Sequence, residues 1–372
     1  CPKYNIYKKV PVAQFHKLRV KDIKRETSDC VSIGFHVPTD LKCDYKFIHG
    51  QYLTLKLNLN GKEIRRCYSI CTSPVSENEL RVAIKKVANG IVSTWLNDHL
   101  QEGVELDVLP PMGNFFTKLN PSNSKRYVLL AGGSGITPII SILKTALETE
   151  LSSSVVLFYG SLNEQSIIFK DELVWLSEKY RNRLEVHHIL DKPELEIDIL
   201  NKGIMTIEKI KKLMELYVDK NNDNEYFLCG PPQMKNNVLK VFDELIIEKK
   251  NIHVESFTFS AADAPSVDGK DTIKVEGVAR CVTTIILDGV ETNLTLGKEE
   301  NILQAALNAG LNAPFSCRRG MCSTCRAKVL EGKAAMKVNY ALSDREVEQG
   351  YILSCQAYPI TPGIVVNYDE AL

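Results

Sequence analysis

Between about residues 15 and 118, apolar side chains fall on alternate positions. Val31, Ile33 and Phe35 form one such run, Leu53, Leu55, Leu57 and Leu59 a second, and Leu80, Val82 and Ile84 a third. Period-two runs separated by Asn60-Gly61 and Asn89-Gly90 predict an antiparallel sheet or barrel. A single helical stretch interrupts it, with Val92, Trp95, Leu96 and Leu100 on one face. From about 124 to 250 the rhythm changes. Apolar runs at Tyr127–Ala131, Val155–Tyr159, Leu184–Leu190 and Tyr226–Cys229 alternate with helical patterns at Ile136–Leu147 and Met234–Ile247. That alternation predicts an α/β unit with a parallel sheet covered on both faces.

Residues 258–272 have linker composition, with Pro, Gly and Ser among small and charged residues. A last module begins with strand alternation through Val282–Leu287. The predicted organisation is therefore multidomain: a β-barrel at 12–119, an α/β domain at 120–257, a linker at 258–272 and a final domain at 273–372.

At 372 residues the chain exceeds one typical core, in keeping with this division. Lys+Arg and Asp+Glu both number 46, so the net charge is zero and no polyelectrolyte attraction to nucleic acid is built in. The longest uncharged stretch, Tyr127–Leu143, carries Gly132, Gly133, Gly135 and Pro138 and is shorter than a membrane span, so no membrane insertion is expected. The start, Cys-Pro-Lys-Tyr-Asn, has no apolar run of the kind a signal peptide needs, and the chain reads as cytoplasmic. Of the 11 cysteines, Cys30, Cys43, Cys71 and Cys281 read as small buried hydrophobes or inert thiols.

Four others are spaced differently. Cys317, Cys322 and Cys325 form C-x4-C-x2-C, and Cys355 follows much later, which is the spacing of plant-type [2Fe–2S] ligands. Three thiolates on one tight loop and a fourth from elsewhere converge on two irons. Gly320 lets backbone amides approach the sulfur atoms and help set the potential. A structural zinc site fits poorly, because zinc knuckles use short loops in symmetric pairs.

Arg66-Cys67-Tyr68-Ser69 follows His49-Gly50-Gln51-Tyr52 in the first domain. In a strand, Arg66 and Tyr68 share a face, where a guanidinium grips a flavin diphosphate and an aromatic ring packs against the isoalloxazine. Ser69 is placed to donate near the hydride-accepting nitrogen. Gly90-Ile91-Val92-Ser93 opens the barrel's helix, whose free amides suit a diphosphate. Phe115, in Pro111-Met112-Gly113-Asn114-Phe115-Phe116, is a candidate adenine neighbour, and Phe257, after Glu255-Ser256, a candidate cover for the flavin face or a plain core residue.

Ala131-Gly132-Gly133-Ser134-Gly135-Ile136-Thr137-Pro138 joins a strand to a helix, where glycines admit a pyrophosphate. It is not the G-x-G-x-x-G fingerprint. Thr137 is a candidate for the nicotinamide or flavin edge. Cys229-Gly230-Pro231-Pro232 ends the last strand, and ligands gather at such carboxyl ends, so Cys229 is expected beside the nicotinamide.

Together these motifs resemble the ferredoxin–NADP reductase superfamily with a fused ferredoxin, over nearly the whole chain. Arg65–Cys71, Met336–Leu342 and Gly350–Ala357 narrow the resemblance to the reductase subunits of phenylacetyl-CoA epoxidases. The resemblance implies a β-grasp-type last domain, FAD as cofactor and NADPH as donor, and a diiron oxygenase as electron acceptor. It implies FAD contacts from Arg66, Tyr68, Ser69, Lys85, Gly90, Ile91, Val92, Ser93 and Phe115. Around the nicotinamide it implies Gly133, Thr137, Pro138, Gly160, Ser161, Cys229, Gly230, Glu255 and Phe257, with Ser69, Thr137 and Cys229 nearest the reaction. After Tyr159-Gly160 the family often carries an arginine for the 2′-phosphate of NADP. Here Ser161-Leu162-Asn163 stands there, which leaves NADH open as well.

A nicotinamide gives two electrons at once and a [2Fe–2S] cluster takes one, so a flavin belongs between them. Plant-type clusters sit near about −400 mV, low enough to drive oxygen activation. Two other readings stay open. One is the reductase of another ring-hydroxylating oxygenase or of a desaturase; the other is an iron–sulfur carrier that has lost its flavin.

Overall fold

The computed structural model describes residues 14–77, 79–257, 278 and 280–371; the linker expected at 258–272 lies outside them. The first domain is a six-stranded antiparallel sheet of β1 (His16–Thr27), β2 (Cys30–His36), β3 (Tyr52–Leu59), β4 (Lys62–Ser69), β5 (Leu80–Lys85) and β6 (Glu105–Val108). Its order is β4-β3-β6-β1-β2-β5, and an Ile70–Val82 bridge joins the ends into a barrel. Helix α1 (Ile91–Asp98) plugs one end: Val92 and Leu96 are buried, and Asn97 Nδ2 donates to Ile84 O at 3.0 Å.

The β3–β4 register decides what each face of this sheet can do. Leu53 pairs with Tyr68, Leu55 with Arg66 and Leu57 with Ile64, and the three leucines belong to the barrel core. Side chains alternate across a strand, so Tyr52, Thr54, Cys67 and Arg65 point the other way.

The second domain holds a five-stranded parallel sheet, β7 (Arg126–Gly132), β8 (Ser154–Ser161), β9 (Leu184–Leu190), β10 (Asn224–Cys229) and β11 (Ile252–Glu255), in the order β11-β10-β7-β8-β9. Helices α2 (Ile136–Thr149), α3 (Lys170–Lys179), α4 (Ile207–Tyr217) and α5 (Pro232–Glu244) run between the strands. Every residue of α2 from Ile136 to Leu147 is buried, because the helix lies between its own sheet and the barrel. Lys144 survives there by pairing with Glu77 at 2.9 Å and Glu172 at 2.8 Å, and Ser141 Oγ donates to Thr72 O at 2.7 Å.

In the third domain β12 (Arg280–Leu287) pairs parallel with β18 (Gly363–Asn367), and β13 (Val290–Gly297), β14 (Arg326–Glu331) and β16 (Tyr351–Leu353) add antiparallel neighbours. A small sheet of β15 (Ala334–Met336) and β17 (Ala357–Pro359) flanks it, with α6 (Ile302–Asn308) and α7 (Asp344–Glu348). This mixed sheet and crossing helix form the α+β, β-grasp-type arrangement. Cys30, Cys71 and Cys281 are buried as expected, but Cys43 is exposed, because it lies in the turn after Leu41 instead of a strand.

Candidate redox site

The loop from Pro314 to Cys325 turns on two left-handed residues, Arg318 at φ 54° and Gly320 at φ 71°. A Cβ on Gly320 would sit 2.9 Å from Val338 O, so glycine is required there. The turn aims the Arg319 N–H at Cys317 Sγ, 3.4 Å away. Cys322 Sγ lies 3.2 Å from Cys317 Sγ, and Ser354 N donates to Cys325 O at 3.0 Å, which sets Cys355 against Cys325. The thiols thus stand as two pairs, 317 with 322 and 325 with 355. That is the donor set of a sulfide-bridged diiron cluster with two thiolates per iron. Among the described residues no group of three ligand-type side chains gathers as a single metal ion would need.

In β4 the Arg66 guanidinium is exposed, bonded only to its neighbour's carbonyl at 2.9 Å, and no described carboxylate pairs with it. Tyr68 shares its face and is half-buried. Ser69 is buried, its Oγ donating to Glu255 Oε2 at 3.4 Å. Gly90 caps α1 without a side-chain bond, leaving the first-turn amides of Ile91 and Val92 for a ligand. A cavity of about 460 Å³ opens there, lined by Asn60, Asn89, Gly90, Ile91, Thr94 and Trp95. An uncapped helix start beside open space, with a spare guanidinium elsewhere on the barrel, fits a flavin nucleotide. The Ser93 hydroxyl is already engaged with Val87 N at 3.1 Å and Gly90 O at 3.3 Å, so it shapes the turn. Lys85 is held 3.5 Å from Asp29. Phe115 does not join this group: it is buried edge-on to Phe227, 5.4 Å between ring centres, because the chain re-enters the core there.

The two loops at the carboxyl end of the parallel sheet touch through backbone. A Cβ on Gly135 would lie 2.1 Å from Cys229 O, so the 132–135 turn closes only with glycine. Gly133 faces open space at the start of α2, as a phosphate cradle requires. Thr137 Oγ1 donates to Ser134 O at 3.0 Å and Pro138 is buried in the first turn. Cys229 ends β10 and Gly230 follows it; the Cys229 thiol is wholly buried, which pushes its pKa well up. Glu255 pairs with Cys229 in the β10–β11 register, and burial raises its carboxyl to about 8. Phe257 packs against the same core. Gly160 abuts Met205, and Ser161 Oγ is buried at the end of β8 close to the Tyr159 hydroxyl, with no hydrogen bond of good geometry among the described residues.

The reverse face of β3–β4, which the sequence did not single out, meets the cysteine loop. Tyr52 Oη lies 3.2 Å from Ser323 Oγ and 3.1 Å from Thr324 Oγ1, and the Cys67 thiol donates to Ser316 Oγ at 3.1 Å. Arg65 donates to Phe315 O at 3.3 Å and stacks on its ring at 3.8 Å. One strand thus carries the Arg66–Tyr68 face on one side and the cluster loop on the other.

Comparison with known proteins matches three family descriptions in the same order. They are an oxidoreductase FAD-binding domain at 17–117, an oxidoreductase NAD-binding domain at 129–240 and a 2Fe-2S iron-sulfur cluster binding domain at 285–359. The chain is 38% identical to a component protein of the 1,2-phenylacetyl-CoA epoxidase of Escherichia coli, across 95% of this chain and 98% of that one. It is 33% identical to the ferredoxin reductase component of 3-ketosteroid-9-alpha-monooxygenase from Rhodococcus rhodochrous, across 94% and 96%. In fold it is similar to phthalate dioxygenase reductase, with a TM-score of 0.56 at 22% identity over 95% of this chain and 98% of that one. No helix among the described residues is long and apolar enough to cross a membrane. The chain belongs to the family of NAD(P)H-dependent oxygenase reductases that join an FAD domain and a nicotinamide domain to a C-terminal [2Fe–2S] ferredoxin, the family that includes this component of phenylacetyl-CoA epoxidase.

Proposed function

We propose that this reductase feeds a diiron oxygenase that epoxidises phenylacetyl-CoA, in the cytoplasm, where the nicotinamide pool lies. The end-to-end similarity to the epoxidase component carries the choice of partner. FAD, when bound, supplies the conversion of a two-electron donor into single-electron delivery. Arg66 and the Gly90–Ser93 turn hold its diphosphate, and Tyr68 lies along its ring. Ser69, Thr137, Cys229 and Glu255 would enclose the place of hydride transfer, and the half-buried carboxyl of Glu255 keeps a proton next to Ser69. Gly133, Pro138, Gly160, Ser161 and Gly230 receive the nicotinamide cofactor, and Phe257 closes the pocket. Cys317, Cys322, Cys325 and Cys355 hold the cluster.

Purified protein should contain one FAD and one [2Fe–2S] per chain. Cys322→Ser should remove the cluster's visible bands and EPR signal while NADPH-driven ferricyanide reduction survives. Flavin-free protein would overturn the proposal in favour of a simple carrier. A second partner class is favoured by the 33% identical ketosteroid monooxygenase reductase. Mixing the reductase with each purified oxygenase and following NADPH-dependent product decides between them.

A further inference from the structure

The cysteine loop has two unlike faces. One, formed by Phe315, Ser316, Ser323 and Thr324, is pressed onto the barrel by Tyr52, Arg65 and Cys67. Asn114 Nδ2 extends this contact by donating to Glu346 Oε1 at 2.6 Å. The other face looks outward: Arg318 and Arg319 are exposed, the Arg318 guanidinium lying 4.2 Å over the same Phe315 ring that Arg65 covers from the barrel, and Tyr340 is 42% exposed where its N–H donates to Gly320 O. Cys317 is the half-buried ligand behind that rim, while Cys322, Cys325 and Cys355 are buried. Arg326, a third basic residue of the loop, does not contribute to the rim, because Glu346 holds it at 3.0 Å.

We propose that the two faces are separately committed. The Ser316 and Ser323–Thr324 face stays against the barrel, and the Arg318–Arg319–Tyr340 rim receives an acidic one-electron acceptor protein while that contact remains closed. The proposal rests on the oxygenase-reductase reading above and adds the surface and the order of contacts. Three observations on the molecule carry it. Every polar side chain of the inner face already has a barrel partner, so an incoming protein gains nothing there without breaking them. The outer rim carries two guanidinium groups and an aromatic ring, the residue types that dominate interface energetics and favour an acidic counterpart. The ligand nearest solvent lies under the outer rim, not the inner one.

Cytochrome b5, an acidic haem protein, serves as the probe. In the Asn114→Cys/Glu346→Cys holoprotein, oxidation to a disulfide is scored by thiol counting and gel mobility. Calorimetric titration with cytochrome b5 should give the same dissociation constant, within about twofold, for the oxidised and reduced forms. A loss of about tenfold or more on oxidation, restored by reduction, would overturn the proposal. In the unmodified holoprotein, hydrogen exchange at Tyr52–Thr54 and Arg65–Cys67 should not rise when cytochrome b5 is added; a rise overturns it, whether or not the disulfide forms. Arg318→Glu/Arg319→Glu should weaken binding about tenfold and flatten its salt dependence. Unchanged binding would mean that these arginines serve only the loop's own charge, which also overturns the proposal. Bleaching of the flavin by NADPH is followed in each form. Its absence defeats the reductase reading itself, whereas bleaching with binding lost on oxidation defeats only the present inference.

Discussion

The Tyr52 hydroxyl lies 3.1 Å from Thr324 Oγ1, across the boundary between barrel and ferredoxin domain, and both groups are buried. Two hydroxyls of the cluster loop share this one phenol, since Ser323 Oγ is 3.2 Å away. Tyr52→Phe keeps the ring and removes the shared group, at about 1 kcal/mol of contact between the domains. Transfer from flavin to cluster, followed by stopped-flow absorbance, should slow several-fold relative to flavin reduction by NADPH. An unchanged ratio would show that this contact does not hold the loop in place.

Arg66→Ala removes an exposed guanidinium that no described carboxylate neutralises. A charge-assisted contact to phosphate contributes roughly 1.5–3 kcal/mol, so the FAD dissociation constant should rise about tenfold to hundredfold. Flavin retention after dilution reports it directly. Retention equal to that of the parent protein removes Arg66 from the site.

The barrel and the parallel sheet were legible because their periods differ: alternation in Leu53–Leu59 against buried runs such as Val155–Tyr159. The cluster loop was legible from spacing alone, since four thiols at those intervals have few other uses. Helices α3 and α4 were not foreseen: α3 buries only Leu173 and Leu176 and announces little of a face, whereas α4 does carry Ile207, Ile210, Leu213, Met214 and Tyr217 at helical spacing, among lysines and glutamates that break up the apolar run. Phe115, expected beside the adenine, is buried against Phe227, and in sequence an aromatic near a turn looks the same whether it faces a ligand or a core ring. Tyr52 and Cys67 escaped notice because their partners lie more than 240 residues away, and only the β3–β4 register reveals which face they occupy.

Glu255 gives the protein a pH dependence of defined sign. Burial raises its carboxyl from 4.5 to about 8, so between those values the folded chain holds a proton that the unfolded chain releases. Stability therefore falls as pH rises through this window, by at most about 1.4 kcal/mol per unit, and is flat below it. The melting temperature of the parent should drop from pH 5 to pH 8, and Glu255→Gln should flatten that slope. A parallel slope in the variant would show that Glu255 is ionised in the folded protein at neutral pH.

If the nicotinamide cofactor lies as proposed, Ser161 sets how firmly the protein distinguishes NADPH from NADH. It ends β8, beside the glycine that abuts Met205, and its Oγ is buried with no hydrogen bond of good geometry among the described residues. A single hydroxyl donates one neutral hydrogen bond to a 2′-phosphate, worth about 1 kcal/mol, whereas a guanidinium at the same position would add a charge-assisted pair worth roughly 1.5–3 kcal/mol. NADPH should accordingly be preferred by a modest factor, about fivefold by that arithmetic, in the ratio of kcat/KM values. Ser161→Ala should bring the ratio towards one, and Ser161→Arg should raise it about tenfold or more, with the change confined to NADPH. The same comparison tests the placement of the cofactor, because Ser161 touches no part of the hydride-transfer group around Ser69 and Glu255. If NADH is strongly preferred by the parent protein, or if Ser161→Arg alters both cofactors equally, the 2′-phosphate is not received at the end of β8.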